Sequence, residues 1–384
     1  MWGSTRFANL DTNQNTYQVK ECMSCKDHPV KTLAVGQAGT RMSRRQWGSV
    51  ILTGAASIAA PLLVAQPRLE KSRVSIAVGG KASFYQLPLT IADQLGYFRT
   101  EGLDVEMIDF AGGIPALQAV QAGSADVVSG GYEHTISLQS KNQFFQAFVL
   151  FGRAPAIAMG VSTKTLPGYK NLRDLRAKKI GVSAPGSSTN MIVNLLLARA
   201  GIKAEELSFV GVGTAGSALT AIRSGQIDAL CNIDPVMTML EQKGDVRIIC
   251  DTRTLKGTTE VFGGAMPAGC LYAPVEFLKK NPNTVQALTN AIVRSLKWLQ
   301  TAGPGDILKT VPESYLLGDR GLYLASFNKV HEAIAIDGLI PEEGTKTALR
   351  ALMSVEPALK ADTIALGRTY TNEFARKAKE KFKA

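Results

Sequence analysis

Glycines and hydroxyl-bearing residues are concentrated in four short segments that could bind the oxygens of a small anion. The segments read GG at 112–113, GGY at 130–132, GSST at 186–189 and GTAGS at 213–217. Glycine lets the backbone approach a ligand closely, and Ser and Thr hydroxyls form directional hydrogen bonds with sulfonate, carboxylate or nitrate oxygens. A helix that starts at such a turn adds unpaired N–H groups and a dipole, which stabilise an anion by about 0.3–1 kcal/mol or more. The same residues are common in tight turns that bind nothing, so a purely structural role stays open for each segment taken alone.

These segments and the neighbouring aromatic and acidic residues give the candidate ligand-binding set. Aromatic rings could stack on a ligand or cover an alkyl chain, although they are equally ordinary in protein cores. Asp234 and Glu133 could pair with a ligand amine, as in a zwitterion such as taurine. Asp234 precedes a proline, however, so it could instead cap a helix, and Glu133 could favourably occupy a first helical turn. The predicted set is Phe84, Tyr85, Gly112, Gly113, Gly131, Tyr132, Ser187, Ser188, Thr189, Thr214 and Asp234.

Sequence motifs for catalysis or metal binding are absent from the predicted mature chain, residues 66–384. This part of the sequence holds no GxSxG, HExxH or P-loop motif and no paired CxxC. Cys231 ends a predicted strand without an obvious local His and acid, and His134 would have to reach it across a cleft. Nearer the N-terminus, Cys22, Cys25 and His28 provide half of a zinc site, but a second ligand pair at a suitable spacing is missing. We therefore predict a binding protein without catalytic residues, metal or cofactor, and keep an enzyme as the alternative.

A repeated β-α-β unit indicates how the glycine-rich segments come together. Residues 110–133 read as a strand end, a glycine turn, a short apolar helix broken at a glycine, and a second strand. In open α/β sheets, ligands bind outside the carboxyl ends of the strands, where loops run into helix N-termini. Two such units predict two similar α/β lobes that face each other across a cleft. Leu117, Val120, Gly123 and Asp126 of the first unit are matched 102 positions later by Leu219, Ile222, Gly225 and Asp228.

Length, composition and the N-terminal pattern predict an exported globular protein of two domains. The 384 residues are 45% hydrophobic and 20% charged, and the net charge of +11 is not gathered in a basic run with interleaved aromatics, which argues against nucleic-acid binding. Residues 42–65 combine MSRRQW with an apolar run and a small-residue exit, the pattern of a signal peptide of the twin-arginine type. Trp47 and Gly48 depart from the usual Phe-Leu, so ordinary secretion stays open. We expect residues 1–41 to be a non-native or disordered leader.

Three motifs resemble those of periplasmic solute-binding proteins that serve ABC importers of nitrate, alkanesulfonates and taurine. Residues 96–105 contain GYF followed by EGLDV, residues 117–126 read LQAVQAGSAD, and residues 186–188 form a GSS turn. The similarity extends over residues 73–353. It implies a type II periplasmic-binding-protein fold, in which two α/β lobes are joined by two crossovers, with the ligand cleft between them and a helical C-terminal region.

The resemblance also implies a domain division and a function. It assigns residues 66–160 and 262–384 to lobe 1 and residues 161–261 to lobe 2. The expected protein is a monomeric periplasmic receptor that closes on a small anionic or zwitterionic molecule, of the sulfonate, taurine or carboxylate class, and delivers it to an ABC permease in the inner membrane. The fold is shared with pyrimidine-precursor synthases and a sulfinate desulfinase, so the enzyme alternative stays open, although the CCCFC motif of the synthases is absent.

Overall fold

Two mixed five-stranded sheets organise residues 68–384, which are the residues that the computed structural model describes. The predicted leader 1–41, the signal peptide 42–65 and the half zinc site lie outside these described residues. In chain order the strands are β1 (Arg73–Gly79), β2 (Asp104–Phe110), β3 (Val127–Gly131), β4 (Phe145–Leu150), β5 (Ile157–Ser162), β6 (Lys179–Val182), β7 (Ser208–Gly211), β8 (Ala229–Ile233), β9 (Val246–Asp251) and β10 (Gly269–Pro274).

The two sheets have equivalent topologies. The first has the order β2-β1-β3-β10-β4, and the second has the order β7-β6-β8-β5-β9. In each, the first three strands are parallel and the last two are antiparallel to their neighbours. We call the first sheet with its helices lobe 1 and the second sheet with its helices lobe 2. The predicted two-lobed α/β fold is confirmed.

Helices cover the sheets and form most of the C-terminal region. None of the described helices has the length and apolar character needed to cross a membrane. The α-helices are α1 (Leu87–Gln94), α2 (Tyr97–Thr100), α3 (Gly113–Gln121), α4 (Glu133–Ser140), α5 (Ser188–Arg199), α6 (Gly216–Ser224), α7 (Val236–Gln242), α8 (Leu255–Phe262), α9 (Val275–Lys280), α10 (Pro282–Leu299), α11 (Pro304–Thr310), α12 (Arg320–Val330), α13 (Glu342–Met353) and α14 (Glu373–Phe382). Short 3₁₀ helices lie at Phe84–Gln86, Leu172–Leu175, Ala204–Glu206, Glu313–Leu316, His331–Ala333, Ala361–Thr363 and Leu366–Arg368.

The residues that repeat 102 positions apart have the same structural role in both lobes. Gly123 follows α3 and Gly225 follows α6, and both have a positive φ, at 75° and 83°, which glycine adopts without steric cost. Asp126 Oδ2 accepts a hydrogen bond from Ser75 N at the start of β1, at 3.0 Å. Asp228 Oδ2 accepts one from Lys179 N at the start of β6, also at 3.0 Å. The repeated glycines and aspartates therefore hold the frame of each lobe.

The chain passes between the sheets twice. The first crossover, residues 151–156, connects β4 to β5, and the second, residues 252–268, connects β9 to β10. β5 pairs with β8 and β9, so lobe 2 begins at Ile157, a few residues before the boundary at 160/161 that the sequence indicated. Both faces of β5 are buried, and a continuous apolar strand of this kind carries no pattern that tells which sheet it joins.

The close approach of two backbones fixes the position of the turn before α3. β1 ends at Gly79, where a Cβ would lie 2.6 Å from the carbonyl carbon of Gly112 and 2.7 Å from the nitrogen of Gly113. Because these neighbours are backbone atoms, they cannot move aside without displacing the whole turn. Only glycine at position 79 allows β1 to lie this close to the turn before α3.

We expect Gly79→Ala to lower the free energy of unfolding by about 1–3 kcal/mol, the usual cost of overpacking a close contact. Denaturant unfolding followed by circular dichroism measures this difference. Gly305→Ala is the matched control, because a Cβ there meets nothing within 4 Å and alanine suits the helix. Equal stabilities for the two variants would contradict the packing argument.

Candidate functional site

The glycine- and hydroxyl-rich turns of the two lobes meet in one pocket between the sheets. Eight predicted residues line this inner pocket: Tyr85, Gly112, Gly113, Gly131, Ser187, Ser188, Thr189 and Thr214. Gln86, Ser129 and Ser183 add further polar groups, and none of the described residues that line the pocket is Lys or Arg. The cavity is only about 30 Å³, enough for little more than a water molecule. The lobes are therefore close together at this pocket.

Two helix N-termini face each other at this pocket. Ser187 precedes α5, but its hydroxyl does not cap that helix; Oγ instead accepts a hydrogen bond from Ile114 N of α3, at 3.1 Å. The turn before α3 has no side-chain cap either, since Gly112 occupies that position. Neither helix carries an acidic residue in its first turn. The positive ends of both dipoles therefore converge on the pocket, as an anion-binding site requires.

Hydrogen bonds within lobe 2 fix the hydroxyl groups around α5. Thr189 Oγ1 accepts a hydrogen bond from Ser183 N at 3.0 Å and shares another with Ser183 Oγ at 2.9 Å. Thr214 lies in the turn between β7 and α6 and packs against Gly80 of lobe 1. The polar wall of lobe 2 is thus held in place before any ligand arrives.

Glu133 provides a buried carboxylate beside the inner pocket, and the predicted ligand set omits it. Its side chain is only 4% exposed, and both carboxylate oxygens occupy the space that a Cβ at position 131 would need. It accepts a hydrogen bond from Ser188 Oγ of lobe 2. Among the described residues, no Lys or Arg forms an ion pair with it. The position of Glu133 directly after the GGY turn could have indicated a place in the site. An acidic residue in the first turn of a helix is also common without a ligand, because it interacts favourably with the helix dipole.

The Tyr85 hydroxyl is a second polar group without a complete set of partners. It is buried and makes no hydrogen bond of good geometry with protein, although Ser188 lies nearby. Burial and then the charge of Glu133 raise the pKa of Tyr85 well above its usual range. The phenol therefore stays protonated and can donate to a ligand oxygen.

Two predicted aromatic residues lie outside the pocket. The Phe84 ring packs against α12, with centroid distances of 4.4 Å to Tyr323 and 6.1 Å to Phe327. Tyr132 is fully buried, and its hydroxyl shares a 2.6 Å hydrogen bond with Thr369 Oγ1. Phe84 and Tyr132 are next in sequence to residues that do line the pocket. Their side chains instead contact residues of the distant C-terminal region, and the local sequence does not reveal those contacts.

Asp234 also lies outside the pocket and stabilises the start of α7. Its Oδ1 accepts a hydrogen bond from Thr238 N at 2.7 Å, and its Oδ2 faces Arg253 Nη1 at 3.4 Å. Arg253 is almost completely buried and also reaches Asp251 at 2.6 Å and Glu241 at 3.1 Å. The sequence left open that Asp234 is the N-cap of this helix; the N-cap is in fact Pro235, and Asp234 stabilises the first turn from one residue earlier.

His134 lies on α4 next to Glu133 and is held by lobe 1. Its Nδ1 is 3.0 Å from the Tyr272 hydroxyl, while its Nε2 is buried without a hydrogen-bond partner and is 3.8 Å from Glu133 Oε1. Burial lowers the pKa of His134, against the opposing charges of Glu133 and Glu356, and Lys141 adds to the lowering. The imidazole is therefore neutral near pH 7.

The cysteines of the described chain do not form a nucleophilic site. Cys231, Cys250 and Cys270 are free and buried. Burial raises the pKa of Cys231 and Cys270 well above the usual range and that of Cys250 to about 12. Because the thiolate is the reactive form, these thiols are poor nucleophiles near neutral pH.

Comparisons with known proteins agree with this arrangement. A family model described as NMT1/THI5-like matches residues 83–302, more than half of the chain. The chain belongs to this family. A solved structure from Bordetella bronchiseptica RB50 is 59% identical, has a TM-score of 0.82 and covers 83% of this chain and 100% of its own. The resemblance to periplasmic solute-binding proteins that the sequence motifs indicated is confirmed.

Two further proteins similar to this NMT1/THI5-like chain carry names that describe them as binding proteins. The alkanesulfonate-binding protein SsuA from Xanthomonas axonopodis pv. citri, bound to MOPS, has a TM-score of 0.57 at 16% identity and covers 79% of this chain and 99% of its own. At that identity the likeness shows the fold alone. A Brucella abortus protein whose name describes it as a binding protein is 26% identical over 237 residues, which are 60% of this chain and 68% of the relative.

The buried charge cluster of this NMT1/THI5-like protein should be sensitive to loss of Arg253. We expect Arg253→Leu to lower the free energy of unfolding by about 3–5 kcal/mol, because Asp234 is left buried without a partner. The double variant Arg253→Leu/Asp234→Leu should recover part of this loss. Denaturant unfolding of the three proteins measures the effect, and a single variant as stable as wild type would show that Asp234 needs no partner.

The lowered pKa of His134 predicts a pH-dependent stability. As the pH falls from 7.5 to 5.5, the unfolded chain takes up a proton near pH 6.5 that the native imidazole does not, so stability decreases by up to about 1.4 kcal/mol per pH unit. His134→Gln should flatten this decrease, whereas His331→Gln, which changes an exposed histidine, should not. Thermal midpoints at several pH values test this, and equal slopes for wild type and His134→Gln would contradict it.

Proposed function

We propose that this protein is a solute-binding receptor that captures a small zwitterionic organic molecule in the cleft and presents it to an ABC-type permease. The observation that carries the proposal is the buried carboxylate of Glu133, which lies beside the converging N-termini of α3 and α5. The sequence left anionic and zwitterionic ligands open. A zwitterion suits both features, because its amine can bind the Glu133 carboxylate and its acidic group can bind the positive N-termini of α3 and α5.

The acidic end of such a ligand would bind the helix N-termini. Backbone N–H groups at the starts of α3 and α5 lie at the pocket, although Ile114 N already donates to Ser187 Oγ, and Ser183, Thr189 and Thr214 offer hydroxyls around them. These groups suit sulfonate or carboxylate oxygens, which accept several hydrogen bonds at once. The protonated Tyr85 hydroxyl is a further donor. No lysine or arginine of the described chain lines the inner pocket, so binding of the oxygens relies on neutral donors and helix dipoles.

The amine of the ligand would bind Glu133. A buried carboxylate costs free energy unless charge and hydrogen bonds compensate it, and in the described chain it has only the Ser188 hydroxyl and the start of its own helix. An ammonium group would complete this compensation. A purely anionic ligand would instead be repelled, by about 4 kcal/mol for charges 4 Å apart in a medium of intermediate dielectric constant.

Closure of the lobes fits a receptor. Direct contacts already cross the cleft: Ser188 with Glu133, Ser187 with Ile114, and Phe84 N with Asp234 O at 3.0 Å. A ligand shifts the population toward the closed state only if it makes additional contacts there. A molecule that touches both Glu133 of lobe 1 and the N-terminus of α5 in lobe 2 meets this condition.

The proposed cellular role follows from the family and the predicted N-terminus. The signal-peptide pattern at 42–65 supports export to the periplasm, by the twin-arginine or the ordinary route, and the family supports delivery to a permease of the inner membrane. We propose no catalytic activity, which is in keeping with the three buried thiols of high pKa.

A thermal-shift screen with matched ligand pairs tests the proposal. The protein is first unfolded and refolded to remove bound molecules. The panel pairs taurine with ethanesulfonate and β-alanine with propionate, and adds aromatic sulfonates, nitrate, aromatic carboxylates and pyrimidines. We expect the zwitterion of a pair to raise the midpoint more than its amine-free partner, and a ligand at a thousand times its Kd to stabilise by about 4 kcal/mol.

The variant Glu133→Gln isolates the role of the carboxylate. It should weaken binding of the zwitterion by about 10- to 100-fold, the effect of losing a hydrogen bond to a charged group. Glu260→Gln is the matched control, because Glu260 is exposed on α8 and has only a 4.0 Å contact with Lys256. If amine-free anions bind better than zwitterions and bind still better to Glu133→Gln, the zwitterion proposal is wrong.

A further inference from the structure

A second, larger cavity lies next to the inner pocket and has no assigned role. This outer chamber has a volume of about 340 Å³, against about 30 Å³ for the inner pocket, and is lined by α3, α4, the end of α13 and, from lobe 2, α5. Its size is that of a small-molecule site. Glu133 lines the chamber, while its partner Ser188 lines the inner pocket. The hydrogen bond between them therefore forms part of the wall between the two cavities.

The chamber residues account for many of the unsatisfied polar atoms. Among the described residues, six buried side-chain nitrogen or oxygen atoms have no hydrogen-bond partner. Three of them, His134 Nε2, Asn190 Nδ2 and Asn194 Oδ1, belong to residues that line the outer chamber, and a fourth is the Tyr85 hydroxyl of the inner pocket. Native proteins leave few such groups without partners, and four of the six belong to residues around two adjoining cavities, where a ligand could supply a partner once the side chain turns toward it.

The polar groups of the chamber select an uncharged partner. Asn190 and Asn194 are one turn apart on the same face of α5, and together they offer an amide donor and an amide acceptor. His134 is neutral near pH 7, as argued above. The charges of Lys141 and Glu356 are opposite in sign, and Glu356 is occupied by a 2.9 Å hydrogen bond from Ser137 Oγ. Lys141 and Glu356 together therefore favour neither an anionic nor a cationic substituent.

The remaining walls are apolar. Ile114, Leu117 and Leu138 of lobe 1, with Leu352 and Val355 at the end of α13, border the chamber. Such walls suit a hydrocarbon stem that carries a polar group to the asparagines of α5.

We propose that the outer chamber is a second compartment of the ligand site and takes an uncharged, amide-bearing substituent on an apolar stem. The inference rests on the proposed function, because Glu133 would hold the ligand amine at the point where the two cavities adjoin. From that point the acidic group extends into the inner pocket and the substituent extends into the chamber. The ligand class is thus a zwitterion with a neutral carboxamide side chain.

Three amino acids with the same head group test the proposal by calorimetric titration: alanine without an extension, norvaline with an apolar stem, and glutamine with a stem and an amide. We expect the affinity to rise in that order. Asn194→Leu should weaken glutamine binding by about tenfold and change alanine binding by less than twofold. Gln226→Leu, at an exposed amide of lobe 2, is the control and should change neither. Gln118→Trp, which fills the chamber from α3, should weaken norvaline and glutamine together and spare alanine.

The outcomes separate the two proposals. Equal affinities for alanine and glutamine, or an equal loss for both in Asn194→Leu, would overturn the second compartment and leave the zwitterion receptor intact. Norvaline binding more tightly than glutamine would overturn the amide class. Failure of every zwitterion to bind, alongside binding of amine-free anions, would overturn the proposed function and this inference with it.

Discussion

The hydrogen bond between Ser188 of lobe 2 and Glu133 of lobe 1 is the contact on which the arrangement of the cleft depends. It joins the first residue of α5 to the first residue of α4, so two helix N-termini meet where a buried carboxylate is stabilised by both dipoles. It also forms part of the wall between the inner pocket and the outer chamber. Any molecule that binds Glu133 has to compete with this contact, which links ligand binding to the distance between the lobes.

Asp234 and Glu133 are two buried carboxylates at helix starts that differ in their partners. Asp234 is paired with Arg253 and accepts a hydrogen bond from Thr238 N, although burial still raises the pKa of its carboxyl. Glu133 has a single hydroxyl donor and no ion pair with a Lys or Arg of the described chain. Within the described chain a buried cation therefore balances Asp234 but not Glu133, although the two occupy similar sequence contexts.

The precision of the site derives from backbone contacts rather than from side chains. β1 approaches the turn before α3 so closely at Gly79 that only glycine fits there. This close approach fixes the turn, and the turn positions Ile114 N to donate to Ser187 Oγ. The C-terminal helices contribute from outside: Tyr323 and Phe327 hold Phe84, and Thr369 holds Tyr132. The segments beside the pocket are thereby fixed by residues more than two hundred positions away in the chain.

The sequence by itself determined the two-lobed α/β fold, because the repeated unit places equivalent glycines and aspartates where each lobe needs a left-handed turn and a strand anchor. It also identified the four polar turns, since glycine and hydroxyl residues at strand ends are a local pattern. Only the tertiary structure decided that β5 belongs to lobe 2, that Phe84, Tyr132 and Asp234 face away from the inner pocket, and that Glu133 faces Ser188. Each of these features depends on contacts between segments that are far apart in the chain. The residues next to a side chain in sequence do not indicate which residue it contacts across a cleft.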